Sequence, residues 1–125
     1  MAEPVRVIRD DALVEADPTS GMVRRRAVET PGLWAGQVIT EPGVTSGWHH
    51  HDTNVSFLYI VRGVLRFECE GIAGHVDAMA GDYVEVPAMT VHRESNPGTE
   101  PSLVIIGRSG TGIPTVNVEE APPPH

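Results

Sequence analysis

The sequence predicts an all-β domain, a small sandwich or barrel, and three observations predict it. Gly (13) and Pro (11) make up nearly a fifth of the 125 residues, so the chain turns often. Val55 to Val61 (V-S-F-L-Y-I-V) is β-branched and aromatic almost without a break, the composition of a strand. Eight to ten such segments recur at roughly ten-residue intervals with turn residues between them, the spacing of sandwiches and barrels.

Taken in order, Val5-Arg6-Val7-Ile8 reads as a short N-terminal strand, and Ala12 to Thr19 as weak helix or loop ending at Pro18. Val23 to Val28 fits an edge strand, because its arginines and apolar residues form no helical stripe. Leu33 to Thr40 is β-like and is closed by Glu41-Pro42-Gly43. The run Val55 to Val61 is expected to be covered on both faces. Gly63 turns the chain into Val64 to Cys69, and Gly71 to Gly74 turn it into His75-Val76-Asp77. Gly81-Asp82 opens Tyr83 to Val86, which Pro87 stops; Val91 to Ser95 and Leu103 to Ile106 complete the set. These elements make one domain over residues 1–118, followed by an acidic, proline-rich tail, 119–125, expected to be disordered.

Composition narrows the function. A net charge of −8 repels a phosphate backbone, so nucleic acid is not an expected partner. The run Arg24-Arg25-Arg26 reads as a solvated strand or turn. Cys69, the one cysteine, excludes an intramolecular disulfide and a Cys-rich zinc site, and reads as a small packing residue. Met1 to Asp11 has no apolar core of a signal peptide, and no stretch reaches 18 apolar residues. No membrane is expected, and the expected location is the cytoplasm.

The six histidines matter by placement. On a strand, His49 and His51 point to one face and His50 to the other. Two neutral imidazoles side by side make half of a transition-metal site, and a further ligand must come from elsewhere. Glu94 lies two residues beyond His92, hence on the same face.

That further ligand is suggested by a resemblance. Gly43 to Gly63 resembles the first cupin motif, G(x)5HxH(x)4E(x)6G, with Gly43, His49, His51 and Gly63 in register. Gly81 to Asn96 resembles the second, G(x)5PxG(x)2H(x)3N, through Gly81, Pro87, His92 and Asn96. The 17 residues from Val64 to Ala80 form a short spacer. The resemblance implies a small β-barrel or jelly roll holding one divalent metal on His49, His51 and His92. Two positions depart from the pattern: Ser56 stands where the glutamate ligand falls, and Met89 replaces the second motif's glycine. Glu94 is the most plausible substitute carboxylate, either as a ligand or as an acid or base beside the metal.

Three neutral imidazoles leave the full charge on the ion and positions open for a bidentate substrate and O₂. Such sites resemble those of the thiol dioxygenases and of a diketone-cleaving dioxygenase. The implied function is therefore a non-haem iron dioxygenase acting on a small chelating metabolite. Fe(II) is the first expectation, with Mn, Ni and Zn as the others. The second reading is non-oxidative: an isomerase or lyase using the metal as Lewis acid, or a sugar-like small-molecule binding module. Alternation puts Leu58 and Ile60 with Ser56 on the pocket wall, with Asn96 continuing the His92 face and Gln37 lining it from the preceding strand. Phe57, Tyr59 and Val61 then point outward onto a second layer or a partner, and the expected state is a homodimer.

Overall fold

The computed structural model describes residues 2–122, and among these there is no α-helix, only a 3-10 turn at Asp10–Ala12. Eleven strands follow in chain order: β1 Val14–Thr19, β2 Met22–Thr30, β3 Leu33–Thr40, β4 His49–His50, β5 Val55–Arg62, β6 Val64–Cys69, β7 Val76–Met79, β8 Tyr83–Val86, β9 His92–Ser95, β10 Ser102–Ser109 and β11 Val116–Asn117. They form two antiparallel sheets, ordered β1-β2-β3-β10-β5-β8 and β11-β4-β9-β6-β7. This is an all-β jelly-roll sandwich, and the two inner faces enclose the core between them.

Strand alternation builds that core. β5 alternates between exposed Val55 and Phe57 and buried Ser56, Leu58 and Ile60. Leu58 and Ile60 meet Leu65 and Phe67 of β6, Ala78 of β7, Val86 of β8 and Val104 of β10 in one cluster. Across the first sheet, Ile60 opposes Val104 and Leu58 opposes Ile106, so apolar residues face each other row by row.

The structure departs from several sequence expectations. Val5 to Ile8 forms no strand; Val5 is 95% and Val7 66% exposed, because β1 occupies the sheet edge that the segment would need. Residues 14–19, expected as weak helix or loop, form β1, because the hairpin to β2 supplies a pairing partner that local propensity does not foresee. β2 accordingly lies inside the sheet between β1 and β3 and is not an edge strand. Its arginines sit in solvated pairs: Arg24 with Thr19, Arg25 with Asp10 and Gln37, and Arg26 with Glu29.

β5 is covered on one face only. Its outer residues Val55, Phe57 and Val61 are 40–48% exposed. The Phe57 ring lies against Gly107 of β10, where a Cβ would collide with it. The tail continues past β11 without strand or helix to Pro122, and its last three residues lie outside the described residues.

Candidate metal centre

Register brings the histidines together. β4 pairs with β9 so that His49 stands opposite His92, and His51 follows one residue past the strand end. His49, His51 and His92 are 7%, 9% and 2% exposed, whereas His50 turns aside and accepts a hydrogen bond from the Asp52 amide. Glu94, two residues along β9, shares the inner face with His92 and is 13% exposed. One donor atom from each of His49, His51, His92 and Glu94 lies within 4.8 Å of all the others.

The backbone decides which nitrogen each ring presents. Nδ1 of His49 donates to the Gly47 carbonyl at 2.8 Å, that of His51 to Pro114 at 2.8 Å, and that of His92 to Thr90 at 2.9 Å. A carbonyl only accepts, so each Nδ1 carries the proton and each Nε2 is left for a ligand bond. A divalent ion with bonds of about 2.1 Å holds its donors about 3–4 Å apart, close to the size of this cluster. Three imidazoles and one carboxylate therefore fit a divalent metal.

Electrostatics point the same way. Burial lowers the His51 pKa to about 4 against the pull of the Pro114 carbonyl, and Arg108, His92 and His49 push it the same way. His51 is thus a neutral imidazole at ordinary pH. Burial also works against a charge on His92, but the Glu94 hydrogen bond and charge outweigh it and raise His92 above 6.5. Burial opposes ionisation of Glu94, yet hydrogen bonds from His49 and His92 and their charges hold the carboxyl well below the usual range. Without metal, His92 Nε2 donates to Glu94 Oε1 at 3.2 Å, and an incoming cation takes the place of that proton.

The segment after β10 is stitched onto this site. Beyond the Pro114 carbonyl, β11 pairs with His49 and His50, and Val118 donates to the Trp48 carbonyl. Asn54 donates to the Ile113 carbonyl and accepts from the Gly112 amide, while Asp52 accepts from the Ile113 amide. β11 was not foreseen in the sequence. Met89, in the place of the motif glycine, keeps the left-handed turn with φ 63°, and its amide donates to the Asp52 carbonyl.

The other expected pocket residues divide. Ser56 faces inward at 3% exposure, and the carboxylate gathered with the three imidazoles is Glu94, from another strand. Leu58 and Ile60 face inward, yet at 4% and 0% exposure they are filled core. Asn96 does not continue the His92 face. The chain leaves β9 at Ser95, and the Asn96 side chain is spent on the Thr40 and Glu100 carbonyls and the Gly98 amide. Gln37 points away from the interior, because the buried residues of β3 are Gly36, Val38 and Thr40, and it accepts from Arg25. Trp48 lies under the Arg93 guanidinium at 4.6 Å, and Arg93 pairs with Glu68.

Two cavities lie near the site, one lined by a ligand residue and the other by Pro114, which anchors His51. One of about 100 Å³ reaches His92 and is walled mainly by Phe67, Ile72, Val76, Val84 and Val86 with Cys69, whose backbone opposes His92. The other, about 160 Å³, is lined by Trp34, Asn54, Arg108 and Pro114 among others. Arg108 and Trp34 were missed in the sequence; Val104, Ile106 and Arg108 alternate inward along β10, which would have flagged the arginine had the strand been carried past Ile106.

A family model described as "Cupin domain" matches residues 36–106, more than half of the chain. The chain is a cupin. No curated protein matches this cupin in sequence. Among solved structures it is similar to KdgF from Halomonas sp., with 22% identity, 84% of this chain and 95% of that one covered, and a TM-score of 0.70. It is also similar to a cupin-superfamily sugar phosphate isomerase from Silicibacter pomeroyi, at 22% identity, 74% and 61% coverage and TM-score 0.64. A third is the oxalate decarboxylase of Bacillus subtilis, a protein with Mn(II) centres. It is 22% identical with TM-score 0.72, and the match covers 84% of this cupin but 30% of that chain. At these identities the likeness is one of fold.

Proposed function

We propose that this cupin is a metal-dependent enzyme that binds one divalent transition metal on His49, His51, His92 and Glu94 and acts on a small metabolite with two chelating oxygens. The observation that carries the reading is the convergence of three Nε2 atoms, each freed by an Nδ1–carbonyl bond, on the Glu94 carboxylate. When bound, the ion supplies a Lewis acid that polarises a chelating oxygen. Glu94 offsets one unit of its charge and the carbonyl-anchored rings hold their lone pairs inward, while the apolar wall beside His92 sheds water from the reacting group.

The carboxylate bears on the two chemistries named from the sequence. The iron dioxygenase reading starts from an ion on three neutral imidazoles; a carboxylate beside them offsets part of the ion's charge and would leave fewer positions open for a bidentate substrate and O₂. The non-oxidative reading, an isomerase or lyase, is the better supported, and similarity of fold to a sugar phosphate isomerase and a decarboxylase agrees with it. Mn(II) and Fe(II) suit the mixed imidazole–carboxylate set. Elemental analysis of protein purified without added metal should find one equivalent, absent from His92→Ala. Iron with O₂ uptake on a chelating substrate would restore the dioxygenase; no metal in either protein, and none on reconstitution, would end the proposal.

The outer face of β5, β8 and β10 exposes Phe57 (48%), Tyr83 (74%) and Ile105 (42%), and we propose it as the contact of a homodimer. Sedimentation of the wild type as a monomer at micromolar concentration would refute this.

A further inference from the structure

Opposite the glutamate position that the sequence leaves vacant stands an arginine. Ser56 of β5 pairs in register with Arg108 of β10, and Arg108 pairs with Trp34 of β3. All three share the inner face that carries Leu58, Ile60 and Val104 farther along. The Arg108 guanidinium lies 5.4 Å from the centre of the Trp34 ring, stacked over its face. Ser56 Oγ, in a residue only 3% exposed, has no hydrogen-bond partner among the described residues. A buried hydroxyl without a partner is costly, and a ligand atom is one way to satisfy it.

The cavity lined by Trp34 and Arg108 also includes Pro114, whose carbonyl holds His51, and the Arg108 charge acts on His51, which places the guanidinium near the metal ligands although none of them lines that cavity. Glu29, the acidic residue of that cavity, is 58% exposed at its side chain and pairs with Arg26. In a chain of net charge −8, a guanidinium on the inner face is a local positive field with a planar fork suited to a carboxylate or phosphate.

We propose that Arg108, with Ser56, is the second anchor of the substrate: it binds an oxyanion group of a metabolite whose chelating oxygens face the four metal ligands. Substitution of the motif glutamate by Ser56 thus does more than move the carboxylate to Glu94; it opens the opposite position to a negative group that Glu would repel. The assignment rests on the metal-dependent reading above for the chelating end of the substrate, but the Arg108 end can be tested without it.

Mn(II) affinity would be measured first, then binding of pyruvate, 2-oxoglutarate and 2-oxoadipate to the Mn(II)-loaded protein. All three chelate through a 2-oxo acid, but only the last two carry a distal carboxylate. The wild type should prefer one of the longer acids by at least ~10-fold, as a charge-assisted pair implies. Arg108→Met should erase that preference without weakening Mn(II) binding. Ser56→Ala, which deletes only a buried hydroxyl and keeps the fold safe, should reduce the preference ~3-fold or more.

Equal affinities for all three acids in the wild type, or an unchanged preference in Arg108→Met, would overturn the assignment. If no Mn(II) is taken up, the metal reading fails separately. The arginine is then tested in metal-free Trp48→Phe protein, where Trp34 is the one remaining tryptophan. Titration with the diacids should change its fluorescence, and Arg108→Met should abolish the change; no change in the parent would sink the anchor as well.

Discussion

On β5, Leu58 and Ile60 are sealed in an apolar cluster, while Ser56, one pleat earlier, is equally buried beside an arginine. The two ends of this strand obey one alternation rule and differ in what the neighbouring strand brings opposite. Ile60 meets Val104, Leu58 meets Ile106, and Ser56 meets Arg108. On the facing sheet the same change occurs along β6, where Leu65 is core, Phe67 opposes Glu94, and Cys69 opposes His92. One end of the sandwich is thus a filled core and the other a polar chamber with its donors already oriented. Stability resides mainly at the first end and chemistry at the second.

The sharpest way to break this division is at the core. Ile60→Ala should cost about 2–5 kcal/mol of stability, seen as a lower denaturant midpoint, while the folded fraction still binds one metal per chain. Equal loss of metal affinity would mean that the two ends are a single unit. Glu94→Gln, at the polar end, should do the reverse: metal affinity falls ~10–100-fold with little change in the unfolding midpoint.

A pH series sharpens the comparison further. His92 is raised above 6.5 by its pairing with Glu94, so below that raised value the metal must displace a proton. Metal affinity should then fall about tenfold for each pH unit, and level off once the pH exceeds it. Glu94→Gln removes the raising partner and should move the break to lower pH. The core end has no such dependence. The smallest effect lies between the two ends, at the turn that carries His92 into place. Met89 holds a left-handed φ of 63° that glycine adopts freely, so Met89→Gly should stabilise the protein by about 1 kcal/mol in thermal unfolding.

How much of this was legible follows the same line. Within a strand, facing is a matter of parity, so His49 with His51, His92 with Glu94, and Ser56 with Leu58 and Ile60 were all readable. Between strands it is a matter of register, which the chain does not print locally. Gln37 was assigned inward because nothing in β3 alone says which parity meets the core. Asn96 was extended along β9 because the departure of the chain at Ser95 depends on the bonds of the 43–46 segment to it: Gly43 to the Asn96 carbonyl and Ser46 to the Glu94 carbonyl. Arg108 escaped because the strand reads as ending at Ile106, and its facing of Ser56, more than fifty positions away, is again a matter of register.

The stitching of residues 112–118 onto β4 and its following turn has a consequence for how the site is assembled. His51 leans on a carbonyl supplied from 63 positions later, and His49 pairs with β11, which lies beyond the core strands. The ligand set is therefore not braced until the chain has been made through β11. A chain cut short after β10 would keep its hydrophobic centre yet present two loosely held imidazoles, so correct metal acquisition doubles as a check that the segment beyond β10 has docked on β4.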